Sequence, residues 1–210
     1  MISLDEIKKK ADPGYIAGRD FVRLDRPLDK DRVFDNFIAS YSVYYDVALK
    51  DHDNGSDRPS KFEVTEGFDA EARFDSKSEQ YFLIKAAKVA DIHSAEYVYF
   101  ALREELKLDD IKNLDDKAWS EGISHVVPGP DHKNTDAVLI VIADRIDEDA
   151  IEFVKKTKHS KNYRMALHGY SNYRTVAVEL STGTAYFNRQ ARILMKLVGN
   201  ILKEEKEISK

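Results

Sequence analysis

Residues 137–143 read AVLIVIA, the longest apolar run in the chain. Seven residues are too few to cross a bilayer, so the run predicts a buried element of a folded domain. As a β-strand it would be apolar on both faces, which is typical of a central strand and not of an edge strand. We therefore expect a sheet with this strand inside it and helices packed above and below.

Toward the carboxyl end, the pattern predicts a helix, a hairpin and a last helix. Asp147 can cap the first helix, and Ile146 and Ile151 have the spacing of a hydrophobic staple. Asn188 can cap the last helix, which carries one apolar stripe from residue 193 to 202. The strands predicted between these helices are residues 163–168, 173–180 and 185–187, the first two joined across 169–172.

Toward the amino end, helical spacing of apolar residues predicts a helix over residues 33–48. A short capped helix is predicted at 4–10, a polar loop at 51–60 and helical pieces at 106–127. The strands predicted here are residues 62–74, 80–92 and 96–102, the last two joined by a tight turn at 93–95. The Lys-Ala-Ala-Lys stretch at 85–88 prefers helix by propensity, so helix remains an alternative for residues 79–92.

Together these elements predict an α+β fold: one domain with a mixed, mostly antiparallel sheet and helices on both faces. We assign this domain to residues 31–203, preceded by an N-terminal helical arm (1–30) and followed by a charged tail (204–210). The 210 residues, 42% of them hydrophobic, suffice for one substantial core.

The composition excludes several classes of site. The chain has no cysteine, which excludes disulfides, thiolate catalysis and cysteine-bound zinc or iron–sulfur clusters. No phosphate-binding loop, dinucleotide glycine fingerprint or nucleophile elbow is present. The amino terminus has no apolar signal region. We therefore predict a cytoplasmic protein with no cofactor, no resident metal and no membrane partner.

Five short stretches resemble a family of uncharacterised bacterial and archaeal proteins. These stretches are residues 68–72 (FDAEA), 79–83 (EQYFL), 96–100 (EYVYF), 161–164 with 169–170 (KNYR and GY), and 184–188 (TAYFN). The resemblance covers roughly residues 33–197 and consists mostly of strand and turn residues. It implies a single prokaryotic domain, and it implies no activity and no catalytic residue.

The charges of the chain are unevenly distributed. Residues 153–203 contain ten Lys or Arg and one acid, whereas the rest of the chain contains 23 bases and 37 acids. A cluster of like charges selects partners of opposite charge, so the carboxyl quarter predicts a basic face for a polyanion or an acidic partner. The alternative is that these cations are solvated or are paired with acids of their own chain.

The basic face combines cations with tyrosines, as a site for single-stranded nucleic acid would. The predicted anion-binding residues are Lys155, Lys156, Lys158, Lys161, Arg164, Arg174, Arg189, Arg192 and Lys196. The predicted stacking residues are Tyr163, Tyr170 and Tyr173. We expect a binding or assembly module whose partner is a nucleic acid, an acidic protein or a second copy of the chain.

An enzyme is the competing hypothesis. The carboxylates that could hold Mg²⁺ for a metal-dependent phosphodiesterase or nuclease are Asp69, Glu71, Asp91 and Glu96. A nuclease of the restriction-enzyme type would also need an acid-x-lysine pair on the adjoining strand, and none is found there. The competing interpretation is that these acids only keep strand edges soluble. The sequence thus leaves the presence of any activity open.

Overall fold

The computed structural model describes residues 27–50, 61–76 and 93–208. The predictions for the helix at 4–10, the loop at 51–60, the strand at 80–92 and the carboxylate of Asp91 lie outside these residues.

The described part of the chain contains four α-helices and seven strands. The helices are α1 (Lys30–Ser42), α2 (Leu108–Ser124), α3 (Glu148–Lys156) and α4 (Met195–Ile208), and a 3₁₀ helix (Gln190–Leu194) precedes α4. The strands are β1 (Asp46–Leu49), β2 (Ala70–Asp75), β3 (His93–Leu106), β4 (His132–Ile146), β5 (Ser160–Asn162), β6 (Tyr170–Glu179) and β7 (Thr184–Phe187). None of these helices combines the length and the apolar character that crossing a membrane requires.

All seven strands form one mixed sheet: six follow in the order β1-β2-β3-β4-β6-β5, and β7 also pairs with β6. The central pairs β3/β4 and β4/β6 are parallel, and the outer pairs β1/β2, β2/β3, β5/β6 and β6/β7 are antiparallel. The strand predicted at 137–143 is the middle of β4 and is fully covered. The prediction of an α+β fold with a mixed, mostly antiparallel sheet is confirmed.

Helices cover both faces of the sheet because successive strand residues point to opposite sides. On one face, α1 and α4 pack over alternate residues such as Val98, Val138 and Ile140. On the other face, α2 and α3 pack over the intervening residues, such as Tyr99 and Leu139. We call these the α1/α4 face and the α2/α3 face.

The first helix is shorter than its apolar pattern predicts. It ends at Ser42 instead of continuing to residue 48, and the chain turns into strand β1. Tyr45 leaves the helical path to pack against Phe74, with ring centroids 5.6 Å apart, and its hydroxyl donates to Glu96. These contacts stabilise the turn after Ser42, and the helical spacing of the apolar residues gives no sign of that turn.

Three other boundaries also differ from the sequence prediction. Residues 93–95 begin strand β3 and are not a turn, because their backbone pairs with β4 and, at Ala95, with β2. The strand predicted over 62–74 begins only at Ala70. The helical pieces predicted over 106–127 form the single helix α2. At the carboxyl end, α4 continues through residues 204–208, where Glu205 is buried, so most of the predicted tail is helical.

Strands β5 and β7 lie end to end along the same edge of β6. Strand β5 pairs with residues 170–172 and β7 with residues 176–179, which leaves residues 173–175 between them. Side-chain amides bond to the backbone there: Gln190 accepts from the Tyr173 amide, and Asn188 accepts from the Thr175 amide and donates to the Tyr173 carbonyl. Asn188 also accepts from the Ala191 amide at 2.8 Å, so its side chain bonds at the start of the 3₁₀ helix and does not cap the last helix, which begins at Met195.

Candidate functional site

Arg174 points from β6 to the α1/α4 face, where it joins three strands. Its Nη1 donates to Glu96 Oε2 on β3 at 2.6 Å, and its Nη2 donates to Asp136 Oδ2 on β4 at 2.8 Å. All three side chains are largely covered. The prediction that Arg174 binds an external anion is therefore wrong, because acids of its own chain neutralise it.

The ion pairs are part of a larger polar network. Tyr45 donates to Glu96 Oε1 at 2.9 Å, and the amides of Asn134 and Asn172 donate to Asp136. Burial raises the pKa of Glu96, and the attraction of Arg174 only partly opposes this. Burial and the neighbouring Glu96 also raise the pKa of Tyr45, which keeps its hydroxyl protonated. The network fixes the start of the parallel strands in register.

Tyr173, which precedes Arg174 in β6, points to the opposite side of the sheet, the α2/α3 face. There it belongs to a second cluster of side chains. Its ring meets the rings of His159 and Trp119, with centroids 5.0 Å and 5.9 Å away. Its hydroxyl donates to the backbone carbonyl of Asp115 on α2. Tyr173 is fully buried, so it is unable to stack on a nucleic acid base and the prediction for this residue is wrong.

The carboxylate of Asp115 is the centre of this cluster. It is 1% exposed, and His159 Nε2 lies 2.5 Å from its Oδ2. The Thr157 hydroxyl donates to Oδ1 at 3.1 Å, and the His159 ring stacks on Trp119 at 5.4 Å. Sequence reasoning missed this group, because Asp115 and His159 are 44 residues apart and only the docking of α2 on the end of α3 joins them.

The strand predicted over 163–168 is instead a tight exposed loop after the short strand β5. Arg164, Met165 and Ala166 all have positive φ, at 50°, 54° and 66°. Three successive non-glycine residues in this region are rare and strained, and such strain persists only where the surroundings hold it. Here the two ends of the loop are joined, because the Tyr163 amide donates to the Gly169 carbonyl at 3.0 Å. This bond holds the loop in its strained conformation.

The loop presents apolar side chains to solvent. Met165 is 93% and Leu167 is 74% exposed. Tyr163, at the base of the loop, is buried: its hydroxyl contacts Ser171 and its ring meets His132. Its predicted stacking role is therefore wrong, whereas Tyr170 is exposed and remains available.

Every large exposed hydrophobic side chain in the described segments lies at the end of the sheet where β3, β4 and β6 begin. Some of them come just before β1, which runs parallel to β3, and others come just before β4 or at the start of β6. The last lies in the 3₁₀ helix, whose Gln190 contacts Asn172 near the start of β6. These residues are Val43, Tyr44, Val127, Met165, Leu167, Tyr170 and Ile193. We call them the apolar end.

Most predicted anion-binding residues surround the apolar end. The exposed cations there are Lys158, Lys161, Arg164, Arg189, Arg192 and Lys196. Asn188 donates to the carbonyl of Thr157. Their chain neighbours Arg189 and Lys158 therefore lie on either side of this hydrogen bond. Lys156 instead pairs with Glu152 at 2.8 Å, and Lys155 lies 5.6 Å from the centre of the Tyr186 ring. Anion binding by the exposed cations stays a prediction.

The opposite end of the sheet is acidic. Helices α2 and α3 begin there, just after β3 and β4 end. The exposed acids of these segments are Glu104, Glu105, Asp109, Asp110, Asp147, Glu148 and Asp149. Among the described residues, seven exposed acids thus lie at one end of the strands, which we call the acidic end, and the apolar end lies at the other.

The carboxylates proposed for a phosphodiesterase do not come together where the structure describes them, at Asp69, Glu71 and Glu96. Glu71 lies on the α2/α3 face, where it pairs with Arg73 at 2.9 Å, whereas Glu96 lies on the α1/α4 face. Asp69 accepts from the Leu102 amide at 2.7 Å. Because Glu71 and Glu96 are on opposite sides of the sheet, these acids do not surround one ion.

Residues 29–199 match the family model DUF8052, which is described as a domain of unknown function. No curated protein and no solved structure matches the chain significantly. The match spans β1 to β7, both helical layers and the clusters around Arg174 and Tyr173. The chain therefore belongs to the DUF8052 family.

Proposed function

We propose that this protein is a cytoplasmic binding module that uses its apolar end to bind a protein partner with an acidic, partly apolar surface. The observation that carries the proposal is the loop around Met165, where two large apolar side chains are held in water among cations. Exposed apolar patches rimmed by charge mark interaction sites in folded proteins. Burying both side chains would contribute about 1.5–3 kcal/mol each.

A protein fits this surface better than a nucleic acid. Nucleic acid binding without sequence preference depends on stacking aromatics beside cations. Two of the three candidate tyrosines, Tyr163 and Tyr173, are buried in the core. The side chains that are exposed instead, Met165 and Leu167, suit the apolar centre of a protein interface.

A different protein also fits better than a second copy of this chain. The acidic end would complement the cations electrostatically. However, the large exposed hydrophobics of the described residues all lie at the apolar end, so the acidic end offers Met165 and Leu167 no comparable apolar surface. A partner must supply both acids and apolar side chains.

The loop is prepared for such contact. Its backbone bonds, His168 N to Tyr163 O at 3.2 Å and Leu167 N to Arg164 O at 3.1 Å, fix its conformation before any partner arrives. A preorganised loop loses little conformational entropy on binding. We expect Lys161 and Arg164 to form the salt-sensitive rim of the interface.

Site-specific photo-cross-linking tests the proposal. A photoreactive amino acid replaces Met165 in the full chain, in the cells that make it, and the adducts and the attached peptides are identified by mass spectrometry. We expect one dominant protein adduct whose attached peptide contains both acidic and apolar residues. Combining the probe with Arg164→Glu and Lys161→Glu should reduce that adduct at least about tenfold, because the rim then repels acids.

The matched control places the same probe at Glu104, which is exposed at the acidic end. It should not give the adduct seen from position 165. Adducts between two copies of the chain, adducts with nucleic acid, or equal labelling from both positions would each overturn the proposal.

A further inference from the structure

The cluster around Asp115 has a set of atoms suited to a metal ion. One ligand atom each from Asp115, Asp116 and His159 lies within 4.8 Å of the others. Asp115 is buried, His159 is partly covered and Asp116 is exposed, so the group opens to solvent on one side. Two carboxylates and one imidazole are common ligands of divalent metals in proteins.

We propose that Asp115, Asp116 and His159 bind a divalent transition-metal ion, with Zn²⁺ or Mn²⁺ as the expected class. Imidazole nitrogen favours Zn²⁺ and its first-row neighbours over Ca²⁺ and Mg²⁺, which prefer oxygen ligands only. Water would complete the coordination on the exposed side. The site does not depend on the partner proposed for the apolar end.

The surroundings of the ligands resemble those of established metal sites. Groups outside the coordination sphere usually orient metal ligands through hydrogen bonds and packing. Thr157 donates to Asp115 Oδ1, and the His159 ring stacks on Trp119 and meets the Tyr173 ring at an interplanar angle of 70°. These contacts fix the two ligand side chains relative to each other before an ion is bound.

Metal binding would replace the contact between His159 and Asp115. His159 Nε2 lies 2.5 Å from Asp115 Oδ2, and a ring nitrogen must carry no proton before it can coordinate an ion. The two atoms then separate slightly, because ligands bound to one ion at about 2.0–2.2 Å lie farther apart than this contact.

The only tryptophan of the chain reports on this site. Trp119 is the single Trp, and its ring stacks on His159. The tag-free full chain, freed of metal with a chelator, is titrated with Co²⁺ while tryptophan fluorescence is recorded. We expect saturable quenching with one ion per chain, reversed by Zn²⁺ as it displaces Co²⁺.

Two substitutions and one control make this titration decisive. Asp116→Asn changes an exposed residue, so the fold should survive. Asp116→Asn and His159→Gln should each weaken Co²⁺ binding at least about tenfold. Asp109→Asn alters an exposed acid of the same helix away from the site and should leave the affinity unchanged. Quenching that does not saturate, or that is the same in Asp116→Asn as in the native chain, would overturn the proposal.

Discussion

Arg174 connects β3, β4 and β6 through two largely buried ion pairs, so its loss should affect the whole fold. Arg174→Met would leave Glu96 and Asp136 covered without their counter-ion, and removing one member of a buried pair typically costs about 3–5 kcal/mol. We expect the free energy of unfolding, measured by urea denaturation at neutral pH, to fall by that amount.

Glu96→Gln is the matched substitution in the same network. It keeps the size of the side chain and leaves the Arg174–Asp136 pair intact. Because burial already disfavours the charge of Glu96 and raises its pKa, we expect a loss below about 1.5 kcal/mol. Equal losses in the two variants would show that Arg174 does not have the proposed role.

His125 gives the stability of the protein a dependence on pH. Its ring stacks on Tyr97 at 4.5 Å, and burial, followed by the charge of Arg73, lowers its pKa below the ordinary 6.5. As the pH falls below that value, the unfolded chain takes up a proton before the folded chain does, so folding loses stability. This contribution is complete above the unfolded pKa and is lost as the pH falls through the folded pKa.

Replacing His125 with Gln should therefore flatten the curve of unfolding free energy against pH below about 6.5. Urea denaturation of both proteins in steps from neutral to mildly acidic pH measures the two slopes. Parallel curves would mean that His125 titrates alike in both states.

At the level of elements, the contact of α2 with β4 depends on Gly122. A Cβ atom added there would lie 2.6 Å from the Cβ of Ala137, in the middle of the central strand. Gly122→Ala would gain about 1 kcal/mol in helix propensity but would overpack the core by about 1–3 kcal/mol. We expect a net loss of stability in thermal denaturation.

The control for this substitution is Gly129→Ala. An added Cβ at Gly129 meets no atom within 4 Å, so this variant should melt within a degree or so of the native chain. Gly122→Ala melting at the same temperature would show that the helix moves away from the sheet without cost.

Local sequence patterns predicted these elements best where burial was uniform along an element. β4 was predictable because residues 137–143 are apolar on both faces, and α3 because Asp147 precedes an amphipathic segment. The end of α1 was not predictable, because Tyr45 keeps the helical spacing in the sequence. The residues that draw it off the helix, Phe74 and Glu96, lie on strands far along the chain. The loop after β5 was not, because a left-handed turn without glycine has no clear sequence signal.

The candidate sites were less predictable than the elements. The basic character of the carboxyl quarter was visible in the sequence, but which cations are exposed depends on partners far along the chain. Arg174 is paired with acids 78 and 38 residues away. The apolar end required the topology, since Tyr44, Val127 and Met165 meet at one end only because β1, β4 and β6 start there.

For the whole molecule, the net charge of −5 would disfavour binding to a polyanion, although ten bases and a single acid lie between residues 153 and 203. We expect the protein to be retained on immobilised heparin at low salt, because the exposed cations of this segment, and not the average charge, would contact the column. Lys158→Glu with Arg164→Glu should abolish retention. Elution in a salt gradient measures the effect.

The charge-matched control is Lys107→Glu with Lys112→Glu, which changes the net charge equally but lies away from the apolar end. This pair should elute close to the native protein. Similar losses in both pairs would mean that net charge, and not its placement, governs binding to the column.

The amides of Asn188 and Gln190 have a consequence for how this protein avoids aggregation. An incoming β-strand from a neighbouring molecule needs a continuous row of free peptide groups, and an open sheet edge offers one. Along β6, short strands occupy both ends of that row, and the two side chains occupy its middle. A substitution at either position would expose a short template for intermolecular pairing, so its damage would appear as insoluble protein in addition to a lower melting temperature.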